Sequence, residues 1–151
     1  YYIFEQKVIG KRTGLITLFK RCFVKTINKQ PNILIVEDND MVVSIYQVML
    51  EKLGFKADVA RNAEEALHLA PKAYDLILMD IGLPDKDGFF VTTEIRKREQ
   101  SQKTRPSYIA GVTAYFLSEV QEKCFEAGMN EVLSKPMAMF QLEALLNKVN
   151  I

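Results

Sequence analysis

Cysteine is scarce: the 151-residue chain has only Cys22 and Cys124, far apart and without the spacing of metal ligands. That excludes a disulfide scaffold and a cysteine zinc site, and it fits a reduced, cytosolic setting. No apolar run approaches the roughly 20 residues that a bilayer span requires, so no membrane span is expected. Internal repeats and low-complexity tracts are lacking as well. The single histidine, His68, lies in a helical pattern and reads as a partly buried surface residue. A starting methionine is also missing, since the chain opens on Tyr1, as expected of a piece of a longer polypeptide.

What is present is enough for one ordinary domain, with 48% hydrophobic residues to build a core. The net charge of +1 conceals an asymmetry: residues 1–30 hold seven Lys/Arg against one acid, leaving the remainder with thirteen against eighteen. The basic leader carries its charges among apolar residues such as Ile16, Leu18, Phe19 and Phe23. It has no recognisable nucleic-acid motif, so direct nucleic-acid binding is not expected. Residues 1–30 are assigned as a linker or extension and 31–151 as the folded domain.

From Ile33 onward, short apolar runs alternate with amphipathic stretches, the pattern of βα units around a parallel sheet. Five units are predicted. Strands are expected at 33–36, 56–59, 76–79, 108–112 and 131–133. The helices are expected at 40–53 with Gly54 as its stop, from Asn62 through Leu69, at 89–98, from Ser118 to near Gly128, and at 139–149. Asn62 with Glu65 and Ser118 with Gln121 have capping-box spacing, and Glu99 to Pro106 reads as a connector.

In open parallel sheets, ligands bind outside the carboxyl ends of the strands. Glu37 and Asp38 follow the first strand, Asp80 the third, Thr113 the fourth and Lys135 the fifth. Three carboxylates converging on one edge repel one another unless a cation sits among them, and hard oxygen ligands suit Mg2+. Thr113 offers a hydroxyl donor and Lys135 an ammonium, both suited to phosphate oxygens. An ionised aspartate beside them can attack phosphorus. Singly, each residue also has a plainer use: Glu37 and Asp38 as acids at a helix start, Asp80 as a cap, Lys135 as a solvated turn lysine.

The segments ILIVED at 33–38, LILMDIGLP at 76–84, GVTA at 111–114 and SKP at 134–136 resemble the receiver domains of bacterial response regulators and hybrid histidine kinases. The resemblance covers about residues 32–150. It implies an α/β, flavodoxin-like, doubly wound five-stranded parallel sheet of order 2-1-3-4-5 with five helices. It also implies Asp80 as phosphoacceptor, Glu37 and Asp38 holding Mg2+ beside it, and the main-chain carbonyl of Gly82 as a further ligand. Thr113 and Lys135 would bind the phosphoryl oxygens, with a cis Lys135–Pro136 peptide aiming the ammonium inward. The donor would be a phosphohistidine of a histidine kinase, and the phosphoryl group would pass on to a histidine phosphotransfer protein. The absence of an output domain after Ile151 fits either a stand-alone regulator or the carboxyl-terminal receiver of a hybrid kinase, and the non-methionine start and basic leader favour the second, in the cytoplasm or on the cytoplasmic part of a membrane-anchored sensor.

One position departs from the family pattern. Val132 stands where many receivers have the Tyr or Phe whose rotamer couples to the threonine, leaving Tyr115 as the aromatic available to gate the pocket. Gly82 stands where Mg2+-dependent phosphatases that use an aspartate nucleophile carry a general acid, which counts against that alternative. The intact acid, threonine and lysine set counts against a docking module that is never phosphorylated. FMN binding is disfavoured because no phosphate-cradling loop follows the first strand, only two acids.

Overall fold

The computed structural model describes residues 30–114 and 117–149; the leader of residues 1–29, with Cys22, and Tyr115 lie outside the described residues. Five strands, β1 (Ile33–Val36), β2 (Asp58–Ala60), β3 (Leu76–Asp80), β4 (Tyr108–Thr113) and β5 (Glu131–Ser134), form one sheet. Every pairing is parallel, in the order β2-β1-β3-β4-β5. Helices α1 (Asp40–Lys52), α2 (Ala63–Leu69), α3 (Gly88–Gln102), α4 (Leu117–Ala127) and α5 (Met139–Val149) connect and close it.

The hand of the chain decides which helix covers which face. Parallel crossovers are right-handed, so a step from β1 to β2 places its helix on one face and a step in the reverse direction places it on the other. Only the first step runs outward to β2. The later steps run through β3 and β4 to β5, so α2, α3 and α4 share the opposite face, and α5 returns beside α1. The core divides accordingly. Ile33, Ile35, Leu76 and Leu78 pack with Val43 and Leu50 of α1 and with Leu142, Leu145 and Leu146 of α5. The alternate residues Leu34, Val36, Ile77 and Met79 pack with Ala63, Val91, Ile95 and Cys124. Strands buried on both faces must be apolar at every position, which is why β1 and β3 read as unbroken hydrophobic runs. Each fully buried Leu or Ile contributes about 1.5–3 kcal/mol.

Polar side chains set the helix ends. The Asn39 side chain accepts from the amides of Met41 and Val42 at 3.0 and 3.3 Å, and Asp87 accepts from Phe90 at 2.8 Å. Gly54, at φ +85°, follows α1 where an L side chain is disfavoured. Asn62 accepts from the Glu65 amide at 2.8 Å, but the Glu65 carboxylate reaches the Arg61 amide rather than that of Asn62, so the box is shifted by one residue. Two further amides of that turn, Ala63 and Glu64, donate to Asp85 at 2.9 and 3.2 Å.

Most elements fall within a residue of their predicted bounds, and the larger departures are these. The second strand is Asp58–Ala60 rather than 56–59, because its register with β1 starts at Leu34 opposite Asp58. The third helix runs four residues past Arg98, since Glu99 is not a solvated loop residue. Its carboxylate takes the Arg96 guanidinium at 2.6 Å and the Ser107 amide at 2.7 Å. Ser118 is the second residue of α4 rather than its cap. His68 is exposed rather than partly buried.

At the edge of the sheet remote from the ends of β1 and β3, Arg96 spends its donors on Glu99, the carbonyls of Gly128 and Ser107, and the Asn130 side chain, all within 2.9 Å. Arg96→Met leaves a largely buried carboxylate and two carbonyls without their partner. It should lower the unfolding free energy by about 3 kcal/mol, read from urea denaturation. On the β2 side, Asp58 accepts from the buried Tyr74 hydroxyl at 2.7 Å and from Lys72 at 3.0 Å. The Tyr74 bond first, then Lys72, holds the Asp58 carboxyl below its ordinary value of 3.8. A depressed carboxylate stabilises the fold above that ordinary value and loses the contribution as pH falls through the folded one. Wild type should therefore lose stability more steeply than Tyr74→Phe as urea midpoints are followed below about pH 4.

Candidate functional site

Parallel strands deliver their carboxyl ends to one edge, and the polar residues of the sequence gather there. Glu37 follows β1 and is 2% exposed, Asp80 closes β3 at 7%, and Thr113 closes β4 at 1%. Asp38 is exposed at the rim. One carboxylate oxygen from each of Glu37, Asp38 and Asp80 lies within 4.8 Å of the others. The Lys135 ammonium enters from beyond β5 and sits 2.6 Å from Glu37 Oε2 and 2.9 Å from Asp80 Oδ2. Its own backbone N–H donates to the Thr113 carbonyl at 2.7 Å, which fastens the lysine to the end of β4. The Lys135–Pro136 peptide is cis.

Electrostatics follow from this crowding. Burial raises the Glu37 carboxyl, the neighbouring Asp80 charge adds to the rise, and Lys135 offsets only part of it. Burial works to lower the Lys135 pKa, but the hydrogen bonds to Glu37 and Asp80 outweigh it and keep the ammonium above its ordinary value. Three carboxylates face one ammonium, so the pocket carries excess negative charge. A compact donor set of hard oxygens with that excess fits a divalent cation of the Mg2+ type. Beneath the pocket, the hydroxyl of Tyr46 on α1 is buried without a hydrogen-bond partner. Burial first, and then the charges of Glu37 and Asp80, pushes its phenol above the ordinary range.

All six residues singled out from the sequence lie on or beside this edge. Glu37, Asp38, Asp80 and Lys135 form the cluster itself, and Thr113 anchors the lysine backbone. Gly82 is exposed, and its amide donates to Asp80 Oδ1 at 3.1 Å. Val132 is half-buried on β5 among the apolar residues of the second core.

Gly88 escaped sequence reasoning. A Cβ there would stand 2.3 Å from the Asp80 carbonyl oxygen, so the start of α3 approaches the acidic strand end as only glycine allows. The signal was available in Asp87-Gly88, a cap followed by a residue without a side chain.

The response regulator receiver domain family matches residues 33–147. The hybrid signal transduction histidine kinase K of Dictyostelium discoideum is 40% identical over 124 residues, covering 79% of this chain and 10% of that protein. The aerobic respiration control sensor protein ArcB of Escherichia coli is 40% identical over 118 residues, covering 78% of this chain and 15% of that protein. The chain thus spans a small fraction of the length of these curated relatives. Among solved structures, the receiver domain of the sensor histidine kinase PA1611 from Pseudomonas aeruginosa, with a magnesium ion in its active-site cleft, is 35% identical at a TM-score of 0.69, covering 80% of this chain and 97% of that one. The receiver domain of Ssk1 from Saccharomyces cerevisiae, crystallised with the histidine phosphotransfer protein Ypd1, is 27% identical at a TM-score of 0.75, covering 80% and 89%.

Gly88→Ala forces a methyl group against the backbone of Asp80 and should cost about 2 kcal/mol of stability, the scale of overpacking, in urea unfolding. Ala at an exposed helix position would instead stabilise by about 1 kcal/mol, so the sign of the change decides whether the close approach exists.

Proposed function

The chain belongs to the response regulator receiver domain family, and from that premise we propose that Asp80 accepts a phosphoryl group from a phosphohistidine in an Mg2+-dependent step of a phosphorelay. The observation that carries this reading is the placement of the Asp80 carboxylate between two further acids and 2.9 Å from the Lys135 ammonium. Glu37, Asp38, Asp80 and the main-chain carbonyl of Gly82 would hold the ion. When bound, it supplies positive charge against the oxygens of an arriving phosphoryl group.

The residues of the chain do the rest. An oxygen of Asp80 attacks phosphorus in line, the new O–P bond forms as the donor's P–N bond breaks, and the electron pair leaves with the imidazole nitrogen. The product is an aspartyl phosphate and a free imidazole. Lys135 is already aimed by Glu37 at 2.6 Å and serves as counterion to the phosphoryl oxygens. The Thr113 hydroxyl, from the end of β4, donates to one of them. Catalysis is positioning and electrostatics, with no covalent chemistry beyond the aspartate. The phosphoryl group adds charge and acceptor oxygens at the sheet edge, and the surface of α4, β5 and α5 shifts population in response.

The relatives of this chain include hybrid kinases, and the Ssk1 receiver crystallises with a histidine phosphotransfer protein. Both support a histidine kinase as donor and a histidine phosphotransfer protein as the next partner. In this reading, residues 31–151 are the receiver and 1–30 link it to the kinase portion of a hybrid sensor. No helix of the described residues is long and apolar enough to cross a membrane.

Incubation with Mg2+ and phosphoramidate, followed by intact mass, should give a gain of one phosphate in wild type and none in Asp80→Ala. Lys135→Met should slow the uptake by about a hundredfold, the usual loss for one preorganised charge-stabilising donor. A folded, Mg2+-binding wild type that takes up no phosphate would make the domain a docking module instead.

A further inference from the structure

We propose that Asp85 is a positioning residue for the acidic pocket, fixing the loop that carries Gly82 by capping a helix on the far side of that loop. The inference rests on the reading of Gly82 as a carbonyl ligand. Of the three amides of α2, Ala63, Glu64 and Glu65, that have no intrahelical partner, the Glu65 N–H goes to the Asn62 side chain at 2.8 Å, while the Ala66 N–H makes the first helical bond, to the Asn62 carbonyl at 3.1 Å. The other two, Ala63 and Glu64, go to the two oxygens of Asp85, at 2.9 and 3.2 Å. A helix of seven residues is thereby completed by a carboxylate from 22 positions downstream.

The location of that carboxylate gives the contact its consequence. Residues 81–87 connect β3 to α3, beginning one residue after Asp80. The loop is tied at its start by the Gly82 amide to Asp80 Oδ1 at 3.1 Å, and at its end by the Gly88 amide to the Ile81 carbonyl at 3.0 Å and the Asp87 cap. Among the described residues, its middle is hydrogen-bonded to another element only through Asp85. Gly82 is exposed and has no side chain to restrain its own peptide, so its carbonyl direction depends on what holds the following residues. Pro84 stiffens the link by fixing its own φ, which transmits the anchorage at Asp85 back toward Gly82. Asp85 touches neither the acids nor Lys135, and it acts through the loop.

The test compares two caps of the same helix. Mg2+ alone is titrated calorimetrically into the folded chain and into Asp85→Ala, Asp85→Asn and Asn62→Ala, with thermal unfolding and amide exchange at Gly82 recorded for each metal-free protein. Asp85→Ala should weaken Mg2+ binding about tenfold, as loss of an outer-shell support does, and speed exchange at Gly82. Asp85→Asn, which keeps one acceptor oxygen, should fall between. Asn62→Ala should lose comparable thermal stability while binding Mg2+ as wild type does. Unchanged affinity in Asp85→Ala beside a normal wild type would overturn the positioning role alone. Equal weakening in Asn62→Ala would overturn it too, by reducing the effect to the stability of α2. A wild type that binds no Mg2+ would overturn the reading of the pocket, and this inference with it.

Discussion

Two carboxylates removed from water and facing one shared ammonium are the constraint on which the molecule turns. Glu37 and Asp80 sit at the ends of neighbouring strands, and Lys135 reaches both from the far side of β4. Buried like charges at this range are tolerated only with a counterion, and one lysine leaves the balance negative. A pocket in this condition is poised for a second cation and for an anion that brings its own charge to be matched. Stability is surrendered locally, and the apolar strands on either side supply it from elsewhere.

The two ends of the sheet divide the labour. At one end Arg96 ties α3 to the turns before β4 and β5 through three side-chain bonds. At the other end the strand ends and the residues just past them carry the acids, the threonine and the lysine. Helix starts at that end are organised by Asn39, Asn62 and Asp87, whose side chains take up amides that would otherwise be unpaired. The same end therefore spends its small polar residues on rigidity and its large charged ones on the pocket.

Much of this was readable from the chain. The apolar runs at 33–36 and 76–79 announce strands buried on both faces, and the groups that follow each run fall together because parallel strands share one edge. Sequence reasoning failed where a polar residue is satisfied by a distant partner. Glu99 reads as loop because its acid is indistinguishable from a solvated one until Arg96 and Ser107 are seen around it. Asp85 falls between the strand expected at 76–79 and the helix expected at 89–98, and nothing local marks it because its targets lie 21 and 22 positions away. Tyr46 sits in a helical pattern as one more large core residue, and only the fold reveals its hydroxyl stranded near the acids. Local rules recover local contacts, and these three depend on topology.

The strand order also ranks the parts of the pocket by how persistently they are held. β1 and β3 lie in the interior of the sheet, each flanked by strands on both sides and fully buried, whereas β5 is an outer strand whose residues are half-buried or exposed. Opening fluctuations begin at edges, where a strand has one neighbour to leave rather than two. The pocket's internal counterion is therefore held at the sheet's margin and its acids in the sheet's interior, so loss of the outer strand would remove the first and leave the second.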